Sequence, residues 1–311
     1  MEDLSISKNS LNKLKNKLEE HKNSLVISEE TKIKYHLSVT LISKLSHIIN
    51  ELSNNHNDLH KLVSTLRYTL ETLIITKLLI KENDFFAKIY FSIYKQQENK
   101  IKQMILRLKN EIEILKKYSE EYSKYFEQNK LKYASDRKKR AEENKKIFQS
   151  LKNKAQSEIT IFMNKLEEFG FEELSKKLEK NTLVEYEKKL EEFENLTREK
   201  QKKLAQKEWF KKYFGAKVQP TQVFKLLKDD RSWKLKAKHV GLDKEYSLNY
   251  EMTSSLLHFT SYSLLTSNIA KEDEINYSYM LINQYIKQIT ANISEFTKVV
   301  IYDRFQSFNF S

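Results

Sequence analysis

The stretch 101-IKQMILRLKNEIEILKKYSEEYSKYF-126 decides the fold. Its apolar residues Ile101, Ile105, Leu108, Ile112, Leu115, Tyr122 and Phe126 follow alternating steps of four and three, with Ser119 in one core slot. A strand would alternate every second residue; this spacing keeps the apolar side chains on one face of a helix and predicts a coiled-coil seam. No Gly or Pro interrupts the chain from Asp84 to Phe169, so nothing in the sequence stops the helix. The pattern fades across Lys130–Lys146, around the run Arg137-Lys138-Lys139-Arg140, and resumes with Phe148, Leu151, Ala155, Ile159, Phe162 and Leu166. Gly170 marks a turn, and a second break is expected near Asn181-Thr182. Leu183, Tyr186, Leu190, Phe193 and Leu204 then give a looser heptad strand. Residues 98–213 therefore read as an antiparallel coiled-coil arm folded back on itself.

Outward from the arm, both flanks also read as helix. Ser10 precedes the apolar spacing Leu11, Leu14 and Leu18, and Ser28 precedes Glu29-Glu30, a favourable capped and acidic start. Helices are expected to about Leu52, over roughly Asp58–Ile80, over Arg231–His239 with Gly241 as the stop, and over Asp243–Ser267 and Asp273–Phe305. No β-branched alternation bounded by turns appears. The expected fold is all-α: a helical-bundle body from residues 1–97 and 214–311, with the arm inserted between them. The composition agrees. Charged residues at 32% exceed what one compact core accommodates, and three Gly and one Pro in 311 residues leave few turns.

Several function classes drop out. With no Cys, disulfides, thiolate metal sites and Cys nucleophiles are excluded, which fits a reducing compartment and a cytoplasmic expectation. With three Gly in total, phosphate-binding motifs of the GxGxxG or GxxxxGK type are absent, and no cofactor is expected. The polar start Met1–Ser10 does not read as a leader. Arg67, Glu71 and Lys77 interrupt Leu62–Ile80, the most apolar stretch, which argues against a membrane span. Neither end carries a bulky amphipathic anchor, which argues against a membrane-surface protein. The net charge of +13 fits an anionic partner, yet only seven of the 56 basic residues are Arg, the better phosphate fork, and Lys-rich composition alone accounts for the charge equally well.

Four groupings are candidates for chemistry. Arg67 and Glu71 lie one turn apart in an apolar helix, as a polar site or as a structural ion pair. Tyr246, Tyr250, Ser254 and His258 recur every four residues, as a proton-moving site or as a buried His with a satisfied partner. His56 and His60 have metal-ligand spacing without a third ligand, so no metal is expected. Arg137–Arg140 reads as an anion grip or as a solvated helix face.

Two segments together carry a resemblance. Arg67-Tyr68-Thr69-Leu70-Glu71 is followed by Asp84-Phe85-Phe86-Ala87-Lys88-Ile89-Tyr90. Trp233 through Gly241-Leu242 then leads to Tyr246, Tyr250, Ser254, His258 and Ser261. This resembles a bacterial family of helical proteins of unknown function with an Arg-x-x-x-Glu helix and a late Tyr/Ser/His helix, itself distantly similar to HEPN domains. The resemblance covers roughly residues 40–97 and 225–305 and not the arm. It implies an RNA-directed protein, a metal-independent ribonuclease of a bacterial defence or stress system. Arg67 would hold the phosphate, Glu71 would support it, His258 would move the proton, and Tyr246, Tyr250 and Ser254 would line the site. The chain departs from the HEPN signature, which puts Arg and His four to six residues apart on one helix; Arg231 and His239 are the nearest such pair, with seven residues between them. The other expectation, from the heptads alone, is a non-catalytic scaffold with a protein partner or a homodimer formed through the arm.

Overall fold

The computed structural model describes residues 4–55, 58–257 and 269–299, the side chains of 251, 252 and 254–257 excepted. Every regular element among them is helical, with one isolated bridge between Asp58 and Ile269. The helices are α1 (Ser5–Glu20), α2 (Lys22–Leu25), α3 (Glu29–Asn54), α4 (Leu59–Lys81), α5 (Phe85–Lys132), α6 (Arg137–Ala155), α7 (Leu166–Lys177), α8 (Val184–Gln206), α9 (Glu208–Phe214), α10 (Val223–Leu226), α11 (Trp233–His239), α12 (Asp243–Leu257) and α13 (Glu272–Thr297). The protein is all-α.

Local chemistry sets where these helices begin and end. At α3, Ser28 Oγ accepts from the Thr31 amide at 3.1 Å while the Ser28 amide donates to Thr31 Oγ1 at 3.0 Å. Asp58 caps α4 by accepting from the Lys61 amide at 3.0 Å. Such caps are each worth about 1 kcal/mol. Gly241, at φ 73°, stops α11 in the left-handed region, and the Leu242 amide reaches back to Ala237 O at 2.9 Å.

The chain divides into two compact units. The first comprises residues 1–92 and 205–311. Its centre is α4, which packs most extensively on α13 and also on α12, α3 and α11, while α1 packs on α13 and α3. Leu62, Leu66, Leu70, Leu73 and Leu78 of α4 are buried. Thr65, Thr69, Thr72 and Thr76 form a second buried stripe. Their hydroxyls donate to carbonyls of their own helix, and Thr76 Oγ1 also accepts from Asn292 Nδ2 of α13 at 3.1 Å. Small side chains with internally satisfied hydroxyls let this face be buried without orphaned polar groups.

Residues 205–213, which the heptad reading assigns to the arm, pack in the first unit. Trp209 stacks on Phe91 at 6.4 Å and leans on Phe86 at 5.7 Å. Its Nε1 donates to Glu29 Oε2 at 3.3 Å, and Tyr213 Oη donates to Glu30 Oε1 at 2.7 Å. Burial pushes the Glu30 carboxyl up, but hydrogen bonds from Lys34 and Tyr213 outweigh it and hold the group below its ordinary value.

The second unit comprises Ile93–Leu204. Ile105, Leu108, Ile112 and Leu115 of the quoted stretch are buried, as the heptads require. Beyond Leu115 the seam follows Tyr118, which is buried, rather than Ser119, and Phe126 is exposed. The aromatic ring takes the slot because it stacks on Phe171 and donates to Glu158 at 2.5 Å. The chain reverses at residues 133–136 without Gly or Pro, where Asp136 caps α6 by accepting from the Lys139 amide at 2.9 Å. Leu151, Ala155 and Ile159 return along Ile112, Leu115 and Tyr118. A further reversal falls at Gly170, at φ 72°, after which Lys116–Glu179, Lys109–Glu187 and Lys102–Glu194 pairs run antiparallel to α5. Asn181-Thr182, expected as a break, lies in a π-helical turn over Leu178–Leu183 that joins α7 to α8 without interruption. With no Gly or Pro there, the backbone absorbs its weak helix formers by widening one turn.

Candidate functional site

Arg67 and Glu71 lie in α4, a helix buried on most of its surface. His60, Lys61, Ser64, Arg67, Tyr68, Glu71 and Ile75 form a stripe along it that is not buried, and Lys77, Ile80 and Lys81 near its end are not buried either. This removes the conflict between charge and apolar context: both charges sit where the helix meets solvent, with side chains 25% and 21% exposed. Arg67 Nε donates to Glu71 Oε1 at 3.1 Å. Burial works against the guanidinium's charge, but the hydrogen bond and the negative charge of Glu71 more than offset it and hold its pKa above the ordinary value.

The aromatic side of the site comes from α12, aimed by the Gly241 stop before it. Among the described side chains, Tyr246, Asn249 and Thr253 of α12 are buried, together with Leu242 just before it, spaced four, three and four. Asn249 ties α12 to α13 by donating to Tyr285 Oη at 3.1 Å. Tyr250 lies beside them, where its ring meets Arg67: the guanidinium carbon is 4.6 Å from the ring centroid. Tyr246 stacks on Tyr250, with centroids 4.9 Å apart and planes 23° apart. The guanidinium and the two rings thus form one cluster, with cation–π attraction of about 0.5–2 kcal/mol between Arg67 and Tyr250. Burial pushes the Tyr246 hydroxyl up to about 12, reinforced by Tyr250 and Glu71 and partly opposed by Arg67. Tyr246 therefore stays a neutral hydroxyl through the physiological range.

Of the residues singled out by sequence, the structure brings together Arg67, Glu71, Tyr250 and Tyr246. His258 lies outside the described residues, as do the side chain of Ser254, Ser261 and His56. His60 is exposed in the first turn of α4. Among the described residues no group of three or more His, Asp or Glu is placed to hold a metal ion, and no helix is long and apolar enough to cross a membrane.

Arg231 and His239, the pair at either end of α11 that comes nearest to the HEPN spacing, meet on Glu82, a partner that the sequence does not indicate. Arg231 donates to both oxygens of Glu82, at 2.5 and 3.0 Å, and to both oxygens of Asp229, at 2.8 and 3.1 Å. His239 Nε2 lies 3.2 Å from Glu82 Oε1. Lys88 and Lys236 complete the network on Glu82 and Asp229. Here two carboxylates already occupy the guanidinium, so an incoming phosphate would have to displace one of them. The grouping is a staple holding the α11 segment to the end of α4. Arg67, in contrast, engages its carboxylate through Nε.

No family model, curated protein or solved structure matches this chain. The resemblance to a helical family rests on the quoted motifs alone.

Proposed function

We propose that this protein is directed at RNA and cleaves it without a metal ion. The supporting observation is the cluster of Arg67 with Tyr250 and Tyr246: Glu71 holds the guanidinium through Nε, the Tyr250 ring lies against it, and it sits on a stripe of α4 that is not buried. An anchored, stacked Arg suits a phosphate, and an aromatic beside it suits an unstacked base. His258, on the resemblance, takes the 2′-hydroxyl proton as that oxygen attacks phosphorus. The P–O5′ bond breaks, and the proton is returned to the departing oxygen. The products are a 2′,3′-cyclic phosphate and a free 5′-hydroxyl. Tyr246 lies beside this site, and Ser254 joins it on the resemblance alone.

The scaffold alternative needs a continuous outward apolar stripe on the second unit. Among the described residues Ile93, Leu106, Tyr125, Phe126 and Leu131 on α5 and Val184 and Leu196 on α8 are exposed, with gaps of thirteen and nineteen residues between Ile93, Leu106 and Tyr125. Val184 and Leu196 are twelve residues apart, about 120° around the helix, and share no face. The RNA reading is therefore preferred.

The test is total RNA incubated in a chelator with wild-type protein, Arg67→Gln and His258→Ala. Cleavage by wild type is expected, reduced by about 10²-fold or more in each variant. Intact RNA with wild type removes the enzymatic reading; equal cleavage by all three removes the site.

A further inference from the structure

We propose that the α5–α6 turn docks on an anionic lipid surface. Among residues 123–142 only Asn129 is buried, and it uses its side chain to bind Asn144 across the hairpin at 2.8 Å. Three bulky side chains stand in solvent here, Leu131 81% exposed, Phe126 41% and Tyr125 40%, on different sides of the end of α5, Leu131 about 120–140° around from the other two. Around them lie Lys130, Lys132 and the run Arg137-Lys138-Lys139-Arg140, against a single carboxylate within residues 130–140, Asp136. Asp136 is committed to capping α6. Apart from Lys130, paired with Glu127 at 3.3 Å, none of these cations has an acidic partner within ion-pair distance among the described residues. Elsewhere lysines commonly pair with a carboxylate one turn away.

Lys130 and Lys132 lie in the last turn of α5, where the helix dipole favours cations, but Arg137-Lys138-Lys139-Arg140 fill the first turn of α6, where it favours acids. The chain follows that preference at α3, α12 and α13, which open with Glu29-Glu30, Asp243 and Glu245, and Glu272-Asp273-Glu274. A cationic start to α6 weakens the helix and gains its place by meeting external negative charge. Charge alone fits either a nucleic acid or a membrane. Leu131 decides between them: a fully exposed aliphatic side chain gains nothing on a phosphate backbone, but it partitions into the acyl boundary while neighbouring Lys and Arg reach the headgroups. This surface is independent of the Arg67 cluster.

Co-sedimentation of the full chain with phosphatidylcholine vesicles, with or without one-third phosphatidylserine, tests it. Wild type is expected to bind the anionic vesicles at least tenfold more tightly. Phe126→Ser/Leu131→Ser should lose about fivefold or more, and Lys138→Glu/Lys139→Glu tenfold or more. The second variant places acids in the first turn of α6, so its thermal midpoint should not fall. Equal binding of wild type to both vesicles, or to neither, overturns the proposal. So does an apolar variant that keeps its vesicle affinity; if only the charge variant then also loses affinity for a single-stranded RNA oligonucleotide, the surface belongs to nucleic acid.

Discussion

Replacing Arg231 with Ala is expected to lower the stability of the first unit by about 2–4 kcal/mol. The guanidinium neutralises both Glu82 and Asp229, and its removal leaves two partly buried carboxylates facing each other with only His239, Lys88 and Lys236 to offset them. The side chains are 28%, 17% and 12% exposed for Arg231, Glu82 and Asp229, so solvent screening keeps the loss below that of a fully buried pair. Arg231→Lys should recover less than half of it, because one ammonium cannot fork to two carboxylates. The same network sets an acid sensitivity. Burial pushes the Asp229 carboxyl up, but hydrogen bonds from the Arg231 side chain and backbone, with the charge of Lys236, pull it below its ordinary value. A carboxylate depressed on folding contributes stability that is present above its unfolded pKa, about 3.9, and is lost as pH falls through the lower folded value. Denaturant midpoints across that acid range should fall steeply in wild type and less steeply in Asp229→Asn. A flat wild-type profile, or a midpoint unchanged in Arg231→Ala, would contradict this account of the staple.

The second large effect is expected in the second unit. Glu111 is buried in α5, and its Oε1 accepts from the backbone amides of Thr160 and Ile161, each at 3.2 Å, and from the Thr160 hydroxyl at 3.2 Å. Those contacts hold the turn after α6 against α5, beside the Ile112, Leu115 and Ile159 cluster. Glu111→Ala removes a charged acceptor from two amides and should cost about 2–3 kcal/mol. Glu111→Gln keeps an acceptor oxygen and should cost less. Amide hydrogen exchange at Thr160 and Ile161 should accelerate in the Ala variant before exchange along α5 does. The competing effect is the cost of burying a carboxylate at all, made larger because Oε2 has no partner among the described residues. If Glu111→Leu proves as stable as wild type, desolvation outweighs the hydrogen bonds and the turn is held by its apolar contacts.

These two residues also mark where sequence stops being informative. Apolar spacing makes α1, α3, α4 and the run from Ile105 to Leu115 legible, because burial on one face leaves a periodic trace. Ser28, Asp58 and Gly241 are legible because capping chemistry is local. Glu111 leaves no such trace: next to Ile112 in a Lys- and Glu-rich helix it resembles any solvated charge, and its role comes from amides 49 and 50 positions away. Arg231 is similar, since its partner Glu82 is 149 positions distant. The segment after Leu204 is a related case: the heptad reading continues the arm to Tyr213 while the compact division falls at Leu204. Trp209, Phe210 and Tyr213 continue a helical pattern, and only the packing of Phe86 and Phe91 and the carboxylates of α3 draws them into the first unit. At the site, the Arg67–Glu71 pair is legible as a one-turn spacing. The α12 stripe is not: a fixed step of four drifts around the helix, and among the described side chains the buried positions are Leu242, Tyr246, Asn249 and Thr253, with Tyr250 beside them.

The central claim is that RNA is met at the stacked guanidinium. Ultraviolet cross-linking of a uridine-rich single-stranded oligonucleotide to the full chain, with the attached peptides mapped by mass spectrometry, reads this directly. The account predicts an adduct on Tyr250 that disappears in Arg67→Gln while the fold is retained. Adducts confined to Tyr125 and Tyr133 at the α5–α6 turn, or a Tyr250 adduct indifferent to loss of the guanidinium, would contradict it.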